Sequence, residues 1–550
     1  MNTLTVRRLA NFRKYSVKLP GTLSKLYSGL KPDELLSDGT PDYVRLILRS
    51  SVYDVIDESP LTRANLLSSR LNIDIQMKRE DMLPVFSFKL RGAYNMISKL
   101  SEEQKKAGVI ACSAGNHAQG VAYSSNFLSI PATIVMPVST PAIKYQNVAR
   151  LGAEVVLYGG NFDDAKAECD RITKERGLTN IPPFDHPYVI AGQGTVATEI
   201  LRQVHNTKLA AIFCPVGGGG LIAGIGSYVK RIAPHVKVIG VETKDASTLH
   251  DSLKYNKRIT LDSTGTFADG TSVRVLGEET YRVAKEVVDD VILVDTDELC
   301  AAIEDIFMDA RVIVEPSGAL SVAGMKKYFA DPEKQREASG KTFIPILSGA
   351  NMNFDRLRFV SERAVLGQGK EVFMMFTIPD TPGSFRKLHS VIHPRHVTEF
   401  SYRYNQNTQS SDAHIYASFT VSDREPEIAD VIERLENLGF GAVDISDNEL
   451  AKSHCRYLVG GSTNDANERL IAFEFPERKD ALSNFLAGID CSWNVTLFHY
   501  RNHGADVGKV LVGISVPPED NANFEAFLIK LGYQYQEHTD NIAYQRFLRH

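Results

Sequence analysis

Cysteine is scarce in this 550-residue chain. There are six (Cys112, Cys169, Cys214, Cys300, Cys455 and Cys491), and none are in C-x-x-C spacing. That pattern indicates neither a zinc knuckle nor a disulfide framework, and a reducing compartment fits it. A surplus of positive charge is missing too. Against 67 Asp and Glu stand 62 Lys and Arg, a net charge of -5, which argues against a nucleic-acid partner. A membrane span is missing as well. The one long uncharged run, Leu209 to Val229, is interrupted by Pro215 and the four glycines Gly217 to Gly220, so its front half reads as a buried strand. Acidic residues are absent before Asp33, while Arg7, Arg8, Arg13, Lys14, Lys18, Lys25 and Lys31 are present. Basic, acid-free N-termini are typical of mitochondrial transit peptides. Residues 1–45 are therefore expected to be a leader and extension, dispensable for catalysis.

What is present is ordinary for a globular protein, 43% hydrophobic and 23% charged. From about residue 46 to 366 short apolar runs alternate with helical patterns. "GVIAC", "PATIVMP", "AEVVLYG", "AAIFCPV", "VKVIGVE" and "TFIPIL" read as strands with helices between them. This alternation predicts an α/β architecture of parallel sheets covered on both faces. Ligands bind such sheets at the carboxyl ends of the strands. Those ends carry "SAGNH", "VGGGG", "VET" and "LSGAN". After residue 366 the pattern changes. "VFMMFTIPDTPGSFRKL" and "LIAFEFPERKDALSNFL" open two copies of strand-helix-strand-strand-helix-strand, at 371–460 and 468–550. A duplicated ferredoxin-like α+β region is the expectation.

Three stretches carry chemistry. In "SFKLRGA" one lysine, Lys89, sits between Phe88 and Leu90. A lysine in an apolar corner either snorkels past its neighbours or works as a nucleophile. In "PVGGGGLIAG" four glycines follow a strand and open a helix, so backbone N–H groups can converge on a phosphate at the positive end of the helix. The same stretch admits another reading. Gly218, Gly220 and Ala223 match G-x-G-x-x-A with Glu242 about 20 residues on, a dinucleotide fingerprint that would suit a nicotinamide oxidoreductase. In "CSAGNHAQG" the small residues Ser113, Ala114 and Gly115 leave amide donors free for a carboxylate. Asn116 can donate or accept there, and His117 reads either as a base or as a packing residue. Ser348 closes the strand ending "LSGAN" on the same sheet edge.

Taken together, "SFKLRGA", "SAGNHAQG", "PPFDHP", "GQGT", "PVGGGGL", "EPSGAL" and "LSGAN", in this order, resemble the biosynthetic threonine ammonia-lyase (threonine dehydratase) family, among the fold-type-II pyridoxal-phosphate enzymes. The C-terminal half, with "DISDNELAKSHCRYLVGG" and "FEFPER", is similar to that family's paired ACT-type regulatory domain. The resemblance implies pyridoxal 5'-phosphate joined to Lys89 as a Schiff base. Phe88 would lie against its ring, and Gly217, Gly218, Gly219, Gly220 and Leu221 would hold its phosphate. Asn116 would bond its hydroxyl, and Ser348 would face its nitrogen. Lys89 and Ser113 are the implied catalytic residues, and Ser113, Ala114, Gly115, Asn116 and His117 the implied clamp on the substrate carboxylate. L-threonine, with L-serine as a second substrate, would give 2-oxobutanoate and ammonia at the committed step toward isoleucine. Isoleucine and valine are the implied effectors, with Tyr402, Arg456, Tyr500 and Arg501 as their candidate contacts. A homotetramer in the mitochondrial matrix completes the picture. One departure concerns metal. Related racemases and dehydratases place a second carboxylate where Thr248 stands, so no metal site is expected here. A serine dehydratase or racemase of the same fold is the alternative within the class, and the oxidoreductase and a non-catalytic amino-acid sensor are alternatives outside it.

Overall fold

A computed structural model describes residues 23, 26–204, 208–379, 384–402, 412–454, 465–476, 481–489, 493–501 and 507–548. The chain divides into two compact units. The first runs to Asp295 and resumes at Asp305–Met352; the second comprises Thr296–Glu304 and the chain from Asn353 onward.

The first unit holds two sheets. One is six-stranded, in the order β1 (Leu61–Arg63), β2 (Asp74–Arg79), β10 (Thr342–Leu347), β7 (Leu209–Pro215), β8 (Lys237–Thr243), β9 (Asp290–Val294). All its pairings are parallel except β1 with β2. The other is β5 (Glu154–Leu157), β4 (Ala132–Met136), β3 (Val109–Cys112), β6 (Thr179–Asn180), parallel throughout. Ile212, Phe213, Val238, Ile239, Ile344 and Ile346 are fully buried. Strands covered on both faces need apolar side chains on both, which is why these segments read as continuous hydrophobic runs.

Lys89 opens the helix Lys89–Ser98. Two positions on, Arg91 is completely buried and bonded to two buried carboxylates. Its Nε and Nη2 donate to Glu80 at 2.7 and 2.9 Å, and its Nη1 and Nη2 donate to Glu199 at 2.5 and 2.9 Å. Lys78, also fully buried, donates to Glu199 at 2.6 Å and to the Ser59 carbonyl at 2.6 Å. Two cations and two carboxylates thus tie β2 and the short turn Glu80–Met82 to the Lys89 helix and to the helix Pro187–Gln203. Close backbone approach tightens the same joint, because a side chain on Gly192 would start 2.6 Å from the Arg91 carbonyl oxygen.

The described part of the N-terminal segment packs into the first unit. Tyr27 and Tyr43 are buried, and Tyr188 donates to Glu34 at 2.8 Å. The acid-free composition ends at Asp33, and the aromatic residues from Tyr27 onward pack into the first unit.

The second unit contains two antiparallel four-stranded sheets of the same topology. The first orders β12 (Val397–Tyr402), β13 (Asp412–Thr420), β11 (Glu371–Pro379), β14 (Gly441–Asp444). The second orders β16 (Asn494–Arg501), β17 (Val507–Ser515), β15 (Glu468–Pro476), β18 (Gln534–Glu537). With their intervening helices these are two ferredoxin-like repeats. Val372, Met374 and Phe376 of β11 face one core, whereas Phe373 and Met375 join Leu470 and Leu511 of the other repeat in a second core. Both faces of β11 are buried, so "VFMMF" shows no alternation in sequence.

Removing one partner from a buried ion cluster strands the rest. Arg91→Leu is expected to destabilise the folded chain by about 3–5 kcal/mol, measured as a lowered midpoint in urea or thermal unfolding. An unchanged midpoint would show that the cluster contributes nothing.

Candidate active site

The carboxyl ends of β7 and β10 and the loop after β3 bring most of the motif residues around one cavity. Its lining includes Phe88, Lys89, Asn116, Gly217 to Leu221 and Ser348. Pro183, Phe184, Gln193, Gly270, Thr271, Glu315 and Ser317 also line it. The Lys89 amine donates to the Pro183 carbonyl at 3.0 Å and lies 5.4 Å from the Phe88 ring centre and 6.0 Å from that of Phe184. Burial among these apolar groups lowers its pKa to about 8, against the pull of the Glu315 carboxylate, which favours the ammonium form. An amine that is neutral near physiological pH is what a nucleophilic lysine requires.

The glycine loop opens the helix Gly220–Ile232, whose N-terminus has no side-chain cap. Its free N–H groups lie at the cavity wall, where the helix end favours an anion. Gly219 has φ +88°, a left-handed conformation that side chains resist. Gly218 lies flat on Phe184, and a Cβ there would start 2.1 Å from the ring. The neighbouring helix Glu278–Val287 is treated differently. Asp185 accepts from the N–H groups of Glu278, Glu279 and Thr280 at 2.9, 3.0 and 3.2 Å, so that terminus is closed by protein while the glycine-loop terminus is left for a ligand.

Asn116 begins the helix Asn116–Phe127. Its Nδ2 donates to Glu315 at 2.5 Å and its Oδ1 accepts from Asn351 at 2.7 Å. Ser348 donates to the Ser317 carbonyl at 3.1 Å, while its own carbonyl accepts from the Phe88 N–H at 3.2 Å. The "SFKL" and "LSGAN" segments are therefore bonded to one another. Immediately upstream, Val85 and Phe86 adopt φ of 58° and 52°. Such conformations cost about 1–3 kcal/mol each and persist where the surroundings enforce them. Here Asn351 Nδ2 donates to the Val85 carbonyl at 2.7 Å and the Ala350 N–H to that of Phe86 at 3.0 Å.

Other expected residues are placed elsewhere. Ser113, Ala114 and Gly115 form the loop leading to Asn116 and are not among the cavity-lining residues; the Ser113 hydroxyl accepts the Gly115 N–H at 3.3 Å. The His117 side chain packs into the core. It is buried, with Nε2 2.8 Å from the Ile181 carbonyl. Burial, with the nearby Lys89 charge, drops its pKa to about 3, so it stays neutral. The first turn of the helix faces it inward, which a loop motif in sequence does not reveal. Glu242 is likewise sealed. It accepts from the N–H groups of Leu249 and His250, each at 2.8 Å, and from the Thr248 hydroxyl at 3.0 Å, capping the helix Thr248–Lys254. A side chain used this way is not held out for a ribose, which removes the dinucleotide reading. Burial raises its pKa to about 7. Phe184, Gln193, Thr271 and Ser317 were missed as lining residues. "PPFDHP", "GQGT" and "EPSGAL" contain Phe184, Gln193 and Ser317, and no pattern marks Thr271.

Among the effector candidates, Arg456 lies outside the described residues. Tyr402 ends β12, while Tyr500 and Arg501 end β16, and only their backbone is described. Arg501 pairs with Lys509 in register. Lys509 lines a second cavity, inside the second unit, with Glu449, Leu450, Ser453, His454, Phe473 and Tyr535 among its walls.

A half-buried lysine of lowered basicity, facing an uncapped glycine-lined helix end, defines a site for a phosphate-bearing carbonyl cofactor, and the donor set fits pyridoxal phosphate. The comparisons agree. Residues 52–349 match the model of the pyridoxal-phosphate-dependent enzymes, and residues 362–455 and 459–548 match that of the C-terminal regulatory domain of threonine dehydratase. The mitochondrial threonine dehydratase of Saccharomyces cerevisiae is 67% identical over 538 residues, 97% of this chain and 93% of that protein. That of Schizosaccharomyces pombe is 54% identical, over 96% and 88%. A processed threonine deaminase isoform of Solanum lycopersicum, 48% identical, superimposes with a TM-score of 0.56 over 59% of this chain and 88% of that one; maize serine racemase, 32% identical, does so at 0.54 over 59% and 97%. The chain belongs to the threonine dehydratase family and is a pyridoxal-phosphate-dependent lyase.

In cofactor-free protein the Lys89 amine should become reactive toward aldehyde reagents as pH rises through about 8, well below an ordinary lysine. Glu315 favours the protonated form, so Glu315→Gln should move that inflection to lower pH. Site-specific labelling followed by mass spectrometry reads both, and an inflection near 10 would refute the assignment.

Proposed function

We propose that this chain deaminates L-threonine to 2-oxobutanoate and ammonia as the committed step toward isoleucine, with L-serine as a second substrate. The observation that carries the reading is the convergence of Lys89, the open helix end behind Gly217 to Leu221, Asn116 and Ser348 on one cavity. Pyridoxal phosphate, when bound, supplies the electron sink that acidifies the α-hydrogen of the amino acid attached to it. Gly217, Gly218, Gly219, Gly220 and Leu221 receive its phosphate. Asn116 would meet its ring hydroxyl, Phe88 would pack on its ring, and Ser348 would present an uncharged hydroxyl to its nitrogen. Backbone N–H groups of Ser113, Ala114, Gly115 and Asn116 orient the substrate carboxylate. Lys89 would hold the cofactor through its amine and, as a neutral amine, would take the α-proton; the β-hydroxyl would depart with a proton as water. The enamine set free hydrolyses in water.

Residues 46–366 are assigned to catalysis and 371–460 and 468–550 to regulation. Isoleucine inhibits and valine opposes it, through a pocket whose first contacts are Tyr402, Arg456, Tyr500 and Arg501. The equivalent placement of Tyr402 and Tyr500 at the ends of β12 and β16 supports this reading, as does the pairing of Arg501 beside a cavity-lining lysine. Arginine can bind an effector carboxylate through two parallel hydrogen bonds, and tyrosine can wall an aliphatic side chain. The functional form is a homotetramer in the mitochondrial matrix, a place supported by the mitochondrial relatives.

Lys89→Ala should abolish threonine deamination while leaving the circular dichroism of the fold unchanged. Near-normal turnover in that variant would sink the mechanism. For regulation, Tyr500→Ala and Arg501→Ala should each raise the isoleucine needed for half inhibition about tenfold, through lost apolar packing in the first and a lost charge-assisted contact in the second. If these variants and those at Tyr402 and Arg456 all respond like the parent, the pocket lies elsewhere.

A further inference from the structure

No catalytic motif lies in the first forty-five residues, yet their described part is bonded to the helix that backs the glycine loop. Tyr27 and Tyr43 are each 6% exposed, and Leu23 is 5% exposed. Both phenols donate to one carboxylate, that of Glu279: Tyr43 to Oε1 at 2.6 Å and Tyr27 to Oε2. Arg282 adds two more donors, Nε and Nη2, each at 2.8 Å. Glu279 is fully buried, so these four bonds replace its water and fix its position.

Glu279 is the second residue of the helix Glu278–Val287. The next residue, Thr280, donates from its hydroxyl to the Gly218 carbonyl at 2.7 Å. The Thr280 side chain also lies 3.1 Å from the point where a Cβ on Gly219 would stand. The first turn of this helix is therefore the outer wall of the glycine loop. Asp185 bonds that turn, and the adjacent Phe184 supports Gly218 from the other side.

We propose that Tyr27 and Tyr43 are positioning residues for the cofactor site: by holding Glu279 they keep Thr280 against Gly218, and so keep the phosphate-binding loop in shape for pyridoxal phosphate. The proposal rests on the cofactor reading above and goes beyond it. It assigns a role to a segment that carries no site motif. It also limits any leader removed on import to residues upstream of Tyr27, because a cut beyond Tyr27 would remove half of the clasp.

The test is a double-mutant cycle on the full chain. Tyr27→Phe deletes one bond to the Glu279 carboxylate, and Thr280→Val deletes the bond to Gly218 while keeping its shape. The dissociation constant of pyridoxal phosphate is measured by the band of the bound cofactor at about 410 nm, alongside the unfolding midpoint of the cofactor-free protein. Tyr27→Phe should weaken cofactor binding about tenfold and Thr280→Val about fivefold. The double variant should fall well short of the product of the two, since both act through one contact. Should Tyr27→Phe fail to fold, Tyr43→Phe takes its place in the cycle. A lowered unfolding midpoint with unchanged cofactor affinity would reduce the phenols to a merely structural role and overturn the proposal, as would effects that multiply in full. Absence of the band in the parent chain would instead overturn the cofactor reading, and the clasp with it. A mature N-terminus beginning after Tyr27 in protein isolated from mitochondria would also overturn it.

Discussion

The first unit depends on a cluster of four charges sealed from water. Arg91 and Lys78 offset Glu80 and Glu199, and none of the four has measurable exposure. Burying an ion costs several kcal/mol unless its partners are held in good geometry. The arrangement therefore tolerates little sliding of the three elements that supply it: β2 with its following turn, the helix Lys89–Ser98 and the helix Pro187–Gln203. Lys89 stands two residues from Arg91 in the chain. The angle at which its amine enters the cavity is set by an electrostatic lock just behind it. Tyr53 and Thr195 extend the lock, Tyr53 donating to Glu199 at 2.9 Å and Thr195 accepting from Arg91 at 3.0 Å.

A second organising element is the short segment Pro183–His186. Its first carbonyl takes the Lys89 amine, its phenylalanine underlies Gly218, its aspartate caps one helix, and its histidine accepts the Tyr188 N–H at the start of another, at 3.2 Å. Four consecutive side-chain or backbone groups thus set the relative positions of the nucleophile, the anion-binding loop and two helices. A shift in any one of them is transmitted to the others through contacts of 3 Å or less in most cases.

Much of this architecture was legible in the sequence, for a physical reason. Strands buried on both faces, such as β3, β4, β7, β8 and β10, must be continuously apolar, and the glycine run after β7 must mark a close approach. The ferredoxin-like repeats showed through their duplicated strand and helix openings. What stayed hidden depended on tertiary pairing. "DIQMKR" does not look like an inner strand, because Lys78 becomes tolerable inside only when Glu199 is supplied from a distant helix. His117 belongs to a motif, but only the rotation of its helix decides that it faces Ile181 rather than the cavity. Thr271 and Ser317 meet at 3.2 Å across 46 residues of chain, a contact without a local signature. At the N-terminus, composition suggests a leader and extension and does not mark Leu23, Tyr27 and Tyr43 as buried.

The contact between Phe184 and Gly218 bears on how the site is filled. A glycine-rich loop is usually costly to order, since glycine has the most conformational freedom to lose. Here the aromatic ring and the Thr280 hydroxyl have already ordered the loop from its protein side. On the proposed reading, an arriving phosphate would meet a finished cradle, and little of its binding energy would be consumed in freezing backbone. Loading of the newly folded chain should accordingly resemble a docking event rather than a coupled folding event, with a small change in heat capacity.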